Sequence, residues 1–108
     1  MSKLVFINTN TKDIVEEQIT PEHSLYEFAG RALSSKLVVD RVKSDSTGLD
    51  EHNVLTFACG FLTGTPAPNS GRMSLGAKSP LTGGVKEANV GGRAPALLAR
   101  NGIRGIVL

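Results

Sequence analysis

Ten of the twelve glycines and four of the five prolines fall in residues 55–108. Both residue types disfavour helix interiors, so this half of the chain has to be built from short strands and tight turns. Residues 1–54 carry only Gly30, Gly48 and Pro21 and are free to form longer elements. Charge divides at the same place. The first half holds nine acids against six bases, and the second holds six bases against one acid, Glu87. An acidic, helix-tolerant half is thus joined to a basic, glycine-rich one.

Length and composition exclude several classes. A chain of 108 residues has room for one domain at most. With 40% hydrophobic residues, 5% aromatics and no Trp, its core has to be aliphatic. No apolar run approaches the roughly 20 residues of a membrane-spanning helix. The opening MSKLVFINTNTKD lacks the apolar core of a signal peptide. One cysteine, Cys59, can make neither an intrachain disulfide nor a four-cysteine cluster within this chain. A cytoplasmic location is the resulting expectation. His23 and His52 lie 29 positions apart, so no metal-ligand spacing is evident. The basic half offers only Phe57 and Phe61 as stacking aromatics, which argues against nucleic acid as a partner.

The local patterns give an α+β chain. Leu4–Asn8 and Ile14–Ile19 read as a hairpin around TNTKD. Thr20-Pro21-Glu22 has the chemistry of a helix start, and Leu25, Phe28, Leu33, Leu37 and Val38 recur at helical spacing to about Val42. Gly30 is expected to break that helix. Residues 43–53 form a loop. Strands are expected at Val54–Cys59 and Arg72–Ala77, separated by a glycine-containing loop over 60–71; a second such loop, 78–84, is followed by Val85–Val90, which leads into Gly91-Gly92. Pro95 opens a short helix that stops at Gly102, and Ile103–Leu108 closes the chain as an apolar strand.

The loops at 60–71, 78–84 and 91–92, with almost no acid nearby, suggest an anion cradle. Glycine lets backbone N–H groups approach an oxyanion closely, and the helix opened by Pro95 directs its unpaired N–H groups at Gly91-Gly92. Arg72, Lys78, Lys86 and Arg93 supply positive charge. The familiar phosphate motifs are absent: Gly71–Ser79 (GRMSLGAKS) carries one residue too many for a P-loop, and no G-x-G-x-x-G follows a strand. Catalytic side chains are scarce. Ser70 lies in no nucleophile pattern, Cys59 reads as a buried small residue, His23 as a solvated residue in a helical first turn, and Glu87 as the partner of Lys86 or Arg93.

Three segments, LTGTPAPNSGR (Leu62–Arg72), AKSPLTGG (Ala77–Gly84) and ANVGG (Ala88–Gly92), together with the closing NGIRGIVL, carry a resemblance. The run from Asn53 to Leu108 resembles the N-terminal domain of the aldehyde ferredoxin oxidoreductase family, the tungsten (sometimes molybdenum) bis-pyranopterin enzymes. The first half fits more loosely, at AGRALSSKL. The resemblance implies a β-rich base on which the metal–pterin cofactor lies. It implies that Arg72, Asn89 and Gly91 contact that cofactor, with the Asn89 main-chain carbonyl on a magnesium ion bridging the pterin phosphates. It also implies oxidation of an aldehyde to a carboxylic acid in an anaerobe, with electrons leaving through a 4Fe-4S cluster to ferredoxin. Arg93 stands where the family usually has an aromatic, and Val90 where it has a small polar residue. The second pterin half-site and the cluster cysteines lie outside these residues. Residues 1–108 are therefore expected to be a partial cofactor-base domain, with 1–53 as hairpin and helix and 54–108 as the cofactor-loop segment, inactive without the rest of an enzyme or other subunits. The alternatives are a non-catalytic anion- or partner-binding module and a truncated relic keeping the fold.

Overall fold

The computed structural model describes residues 2–108. Strand β1 (Ser2–Asn8) and strand β2 (Asp13–Ile19) form the expected hairpin, paired from Ser2 opposite Ile19 to Asn8 opposite Asp13. The turn follows from its polar residues. Asn8 Oδ1 accepts the N–H groups of Asn10 and Thr11 at 3.0 and 3.2 Å, and Lys12 adopts φ +64°.

The helix expected from Pro21 begins later. Helix α1 covers Gly30–Arg41, and residues 21–27 are successive turns instead. His23 N–H bonds to Thr20 O, Tyr26 N–H to His23 O and Phe28 N–H to Leu25 O, all at i to i+3. These turns place Leu25 and Phe28 against the core as a helix does, so the apolar spacing does not separate the two conformations. Gly30 does mark the change of path, at φ +57°. His23 is a turn-stabilising residue rather than a solvated helical one. Its Nδ1 accepts Leu25 N–H at 3.0 Å, and its Nε2 lies 2.8 Å from Glu17 Oε1.

The glycine-rich half supplies β3 (Thr56–Cys59), β4 (Arg72–Lys78), β5 (Val85–Gly91), helix α2 (Arg93–Arg100) and β6 (Ile103–Val107). Helix α2 thus starts two residues before Pro95. The two halves share one six-stranded sheet, in the order β2-β1-β6-β3-β4-β5. Strands β1 and β6 are parallel, and the other pairs are antiparallel. The expected α+β class holds. The second sheet segment is a continuation of the first, because the last strand inserts between the N-terminal hairpin and β3.

Alternation puts Leu4, Gly105, Val107, Thr56, Ala58, Ser74 and Gly76 on one face, under α1. Leu33, Ser34, Leu37 and Val38 are the buried stripe of α1. Leu4, Leu33 and Leu37 are at most 2% exposed, and burial of each contributes roughly 1.5–3 kcal/mol. The other face presents Ile7, Phe57, Met73, Leu75 and Ile106, all only half-buried. Among the described residues no helix is long and apolar enough to cross a membrane.

Candidate functional site

The β4–β5 hairpin brings together the three residues expected at a cofactor. Arg72 opens β4 and pairs with Gly91, and Asn89 pairs with Ser74. All three expected site residues are exposed. A Cβ built on Gly91 would lie 3.7 Å from Arg72 Nη1, so the guanidinium lies alongside this glycine. Gly92 follows at φ +108°, a conformation that side chains rarely allow, and α2 starts at once. A Cβ on Gly92 would meet nothing within 4 Å, which leaves its main chain open to a ligand. No side chain caps α2, and its first turn has no acid. Its unpaired N–H groups and positive helix end are therefore available to an anion.

The 60–71 loop packs into the same corner. Thr63 is buried; its Oγ1 accepts Gly60 N–H at 3.2 Å and lies 2.7 and 3.1 Å from the carbonyls of Ser70 and Arg72. One hydroxyl thus closes the loop onto the start of β4. At Gly64 an added Cβ would come within 2.9 Å of Ala99 Cβ, so the loop lies directly on α2. Ser70 donates to Ala67 O at 2.8 Å and serves the loop.

The expected three-loop cradle divides. The 78–84 loop lies at the opposite end of β4 and β5, where Lys78 pairs with Val85. Six strand steps of about 3.3 Å put it roughly 20 Å from Arg72. Lys78 is also engaged there, donating Nζ to Ser44 O at 2.8 Å. Asn53 ties the same end together through Gly48 O, Lys78 O and Lys78 N–H. Closeness in sequence suggests a single cradle, and strand length separates its parts.

Glu87 makes neither of its expected pairings. Its carboxylate meets Arg31, from the first turn of α1, with Nε to Oε1 at 3.2 Å. Its Oε2 accepts Ser74 Oγ at 2.6 Å and Asn89 Nδ2. The lone acid of the basic half is thus neutralised by a base from the acidic half. Among the described residues Arg72 and Arg93 form no ion pair, so their charge stays uncompensated at this corner. Arg31, Ser74 and Glu87 are members of the site that sequence reading missed. Period-two alternation along β5 puts Glu87, Asn89 and Gly91 on one face, but the partners of Glu87 come from register and tertiary packing.

Cys59 is buried, 3.6 Å from Pro95 O, and burial pushes its thiol up. That agrees with a packing role. The described residues contain no group of three or more His, Cys, Asp or Glu placed to hold a metal ion. The donor set is instead guanidinium, main-chain N–H, amide and carbonyl. This set fits a phosphate-bearing group.

Comparison with known proteins gives one answer. Tungsten-containing aldehyde ferredoxin oxidoreductase of Pyrococcus furiosus is 35% identical over 106 residues, covering 98% of this chain and 18% of the relative. The proteins of the same name from Pyrococcus abyssi and Thermococcus kodakarensis are each 32% identical, covering 98% and 94% of this chain. The chain spans less than a fifth of the length of these relatives. Among solved structures, the active site complex BamBC of benzoyl coenzyme A reductase, in complex with 1,5-dienoyl-CoA, superposes with a TM-score of 0.88 at 24% identity. That match covers 98% of this chain and 16% of the other, and it supports the fold. The family model described as aldehyde ferredoxin oxidoreductase, N-terminal domain, matches residues 4–108, and the chain belongs to that family.

Proposed function

We propose that this chain is a partial cofactor-base domain of a larger tungsten or molybdenum pterin oxidoreductase, which oxidises an aldehyde to a carboxylic acid and passes the electrons to ferredoxin. The observation that carries the reading is the meeting of Arg72, Gly91 and the open start of α2 on a surface whose one acid is already paired. In this reading Arg72 engages a phosphate or pterin edge through its planar donor fork. Gly91 and Gly92 would let the main chain approach the group, and Asn89 would hold its magnesium ion through the main-chain carbonyl. The bound metal–pterin group supplies the two-electron chemistry. The residues of this chain bind and orient it. No general acid or base is assigned among them, since the Glu87 carboxylate is already occupied by three donors. The 4Fe-4S cluster, the second pterin half-site and the aldehyde pocket belong, in this proposal, to chain beyond these residues, and the enzyme works in the cytoplasm.

The test is the full-length protein purified anaerobically, with tungsten, molybdenum and magnesium measured by mass spectrometry and pterin by fluorescence after oxidation. Pterin together with tungsten or molybdenum is the expected result. A folded full-length protein containing neither metal and no pterin refutes the reading.

A further inference from the structure

Glu87 is the single acid of residues 55–108, yet its side chain is only 16% exposed. An ionised carboxylate only accepts hydrogen bonds. The Asn89 amide must therefore turn its nitrogen toward Glu87 and its oxygen away. Ser74 commits its one proton to Glu87 Oε2, so the Ser34 hydroxyl, 2.7 Å away and also 3.2 Å from Arg31 O, is the donor to Ser74. Ser34 and Ser74 are fully buried between α1 and the sheet. A line of donors thus runs from the helix, through two hydroxyls, to a carboxylate that grips Asn89. The grip is placed at an edge of the sheet. Strand β5 is one of the two edge strands, paired only with β4, and most of its residues are exposed.

We infer that Glu87 is a positioning residue of the cofactor site. Through its bond to Asn89 it fixes the main chain of β5 from Asn89 to Gly91, and with it the carbonyl and N–H groups presented to a magnesium-bound phosphate. The inference rests on the cofactor reading above. The two carboxylate oxygens have different duties. Ser74 and Asn89 both use Oε2, and Arg31 uses Oε1. Glu87→Gln, with its amide oxygen in the Oε2 position, keeps both bonds that orient Asn89. It gives up only the pairing with Arg31, whose side chain is 74% exposed and contributes little. Glu87→Ala loses everything. Asn89→Ala keeps the main-chain carbonyl and so removes the grip alone.

The experiment compares the full-length protein with Glu87→Gln, Glu87→Ala, Asn89→Ala and the double alanine variant. Each is purified anaerobically and read for magnesium, tungsten or molybdenum, and pterin retained after EDTA and gel filtration, with the unfolding midpoint measured in parallel. Partners that orient a metal's ligands commonly change metal affinity about 10- to 100-fold. The expected result is roughly a tenfold loss of retained magnesium in each single alanine variant and no further loss in the double variant. Glu87→Gln should stay within about twofold of wild type, since it preserves the hydrogen bonds through which such a partner acts. Additive losses in the double variant, or a Glu87→Gln as depleted as Glu87→Ala, overturn the inference while leaving the cofactor reading standing. A wild-type protein free of metal and pterin overturns both. If Glu87→Ala does not fold, Asn89→Ala, which alters one exposed side chain, still decides: unchanged magnesium retention there overturns the inference.

Discussion

Replacing Gly76 with alanine tests whether the spacing between α1 and the sheet is set by one missing side chain. A Cβ at this position would lie 2.9 Å from Thr56 Oγ1, 3.2 Å from Ser34 O and 3.4 Å from Ser34 C. Neither neighbour can swing aside. Ser34 O is helix main chain, and Thr56 is fully buried, β-branched and within 3.2 and 3.1 Å of the carbonyls of Ser34 and Gly76. Either α1 lifts, at the roughly 1–3 kcal/mol typical of overpacking, or the Thr56 hydroxyl abandons its acceptors, at a similar cost of about 1–3 kcal/mol. A less flexible unfolded chain returns about 0.4–1 kcal/mol. The net expectation is a loss of about 1–2 kcal/mol by urea denaturation, with faster hydrogen exchange in the first turns of α1. Gly83→Ala is the control, since its Cβ would meet nothing within 4 Å and only its φ of +75° opposes the change. It should leave exchange in α1 untouched. A Gly76→Ala protein within about 0.3 kcal/mol of wild type would refute the reasoning, because uncertainty in such comparisons is itself a few tenths.

Three further outcomes are expected. Cys59 should resist maleimide in the native state and react on unfolding. Its raised pKa means that the unfolded chain loses the thiol proton first as pH rises, so the thiol's contribution is complete below the ordinary thiol pKa of about 8.5 and declines above it. Wild type measured against Cys59→Ala should show that decline, and a difference that grows with pH contradicts it. Arg104→Lys should cost about 1–2 kcal/mol in chemical denaturation, because the guanidinium bonds Tyr26 O at 2.6 Å and lies over the Tyr26 and Phe61 rings at 5.6 and 5.2 Å, which an ammonium cannot reproduce. A neutral substitution would remove that clamp from the account. Arg72→Ala, at an exposed strand start, should shift stability by no more than about 0.5 kcal/mol yet deplete metal and pterin in the full-length protein; unchanged content would exclude Arg72 from the site.

The parts of this fold that are legible in sequence are those decided locally. The β1–β2 hairpin is set by a polar turn between apolar strands, and β4 by a run between glycine loops. The start of α1 was not legible. Pro21 and Glu22 fit a helix start, but the Leu25–Phe28 spacing is equally met by consecutive turns, and a His23 ring bonded to main chain and Glu17 holds those turns. Strand order was hidden for a different reason: the insertion of β6 beside β1 depends on contacts about a hundred residues apart. The site shows the same division. Arg72, Asn89 and Gly91 could be named from the family-like segments, and the β4–β5 register brings them together. The Arg31–Glu87 pair, 56 positions apart, follows no local charge rule. Lys78 had the right charge and neighbours for the anion site but lies at the wrong end of its strand.

The parallel pairing of β1 with β6 has a consequence for biosynthesis. Lys3 sits beside Ile103, so one seam of the sheet joins residues made about a hundred positions apart. At about 5–20 residues per second on a ribosome, the β1–β2 hairpin waits several seconds for its neighbour. Leu4, Leu33 and Leu37 cannot be sealed from water until Val107 arrives beside them. The nascent chain therefore carries an open strand edge, a feature that invites mispairing. The side of the hairpin facing away from that edge, β2, carries Asp13, Glu16 and Glu17. Charged side chains on this outer strand, which stays a sheet edge in the folded domain, blunt its pairing with another copy.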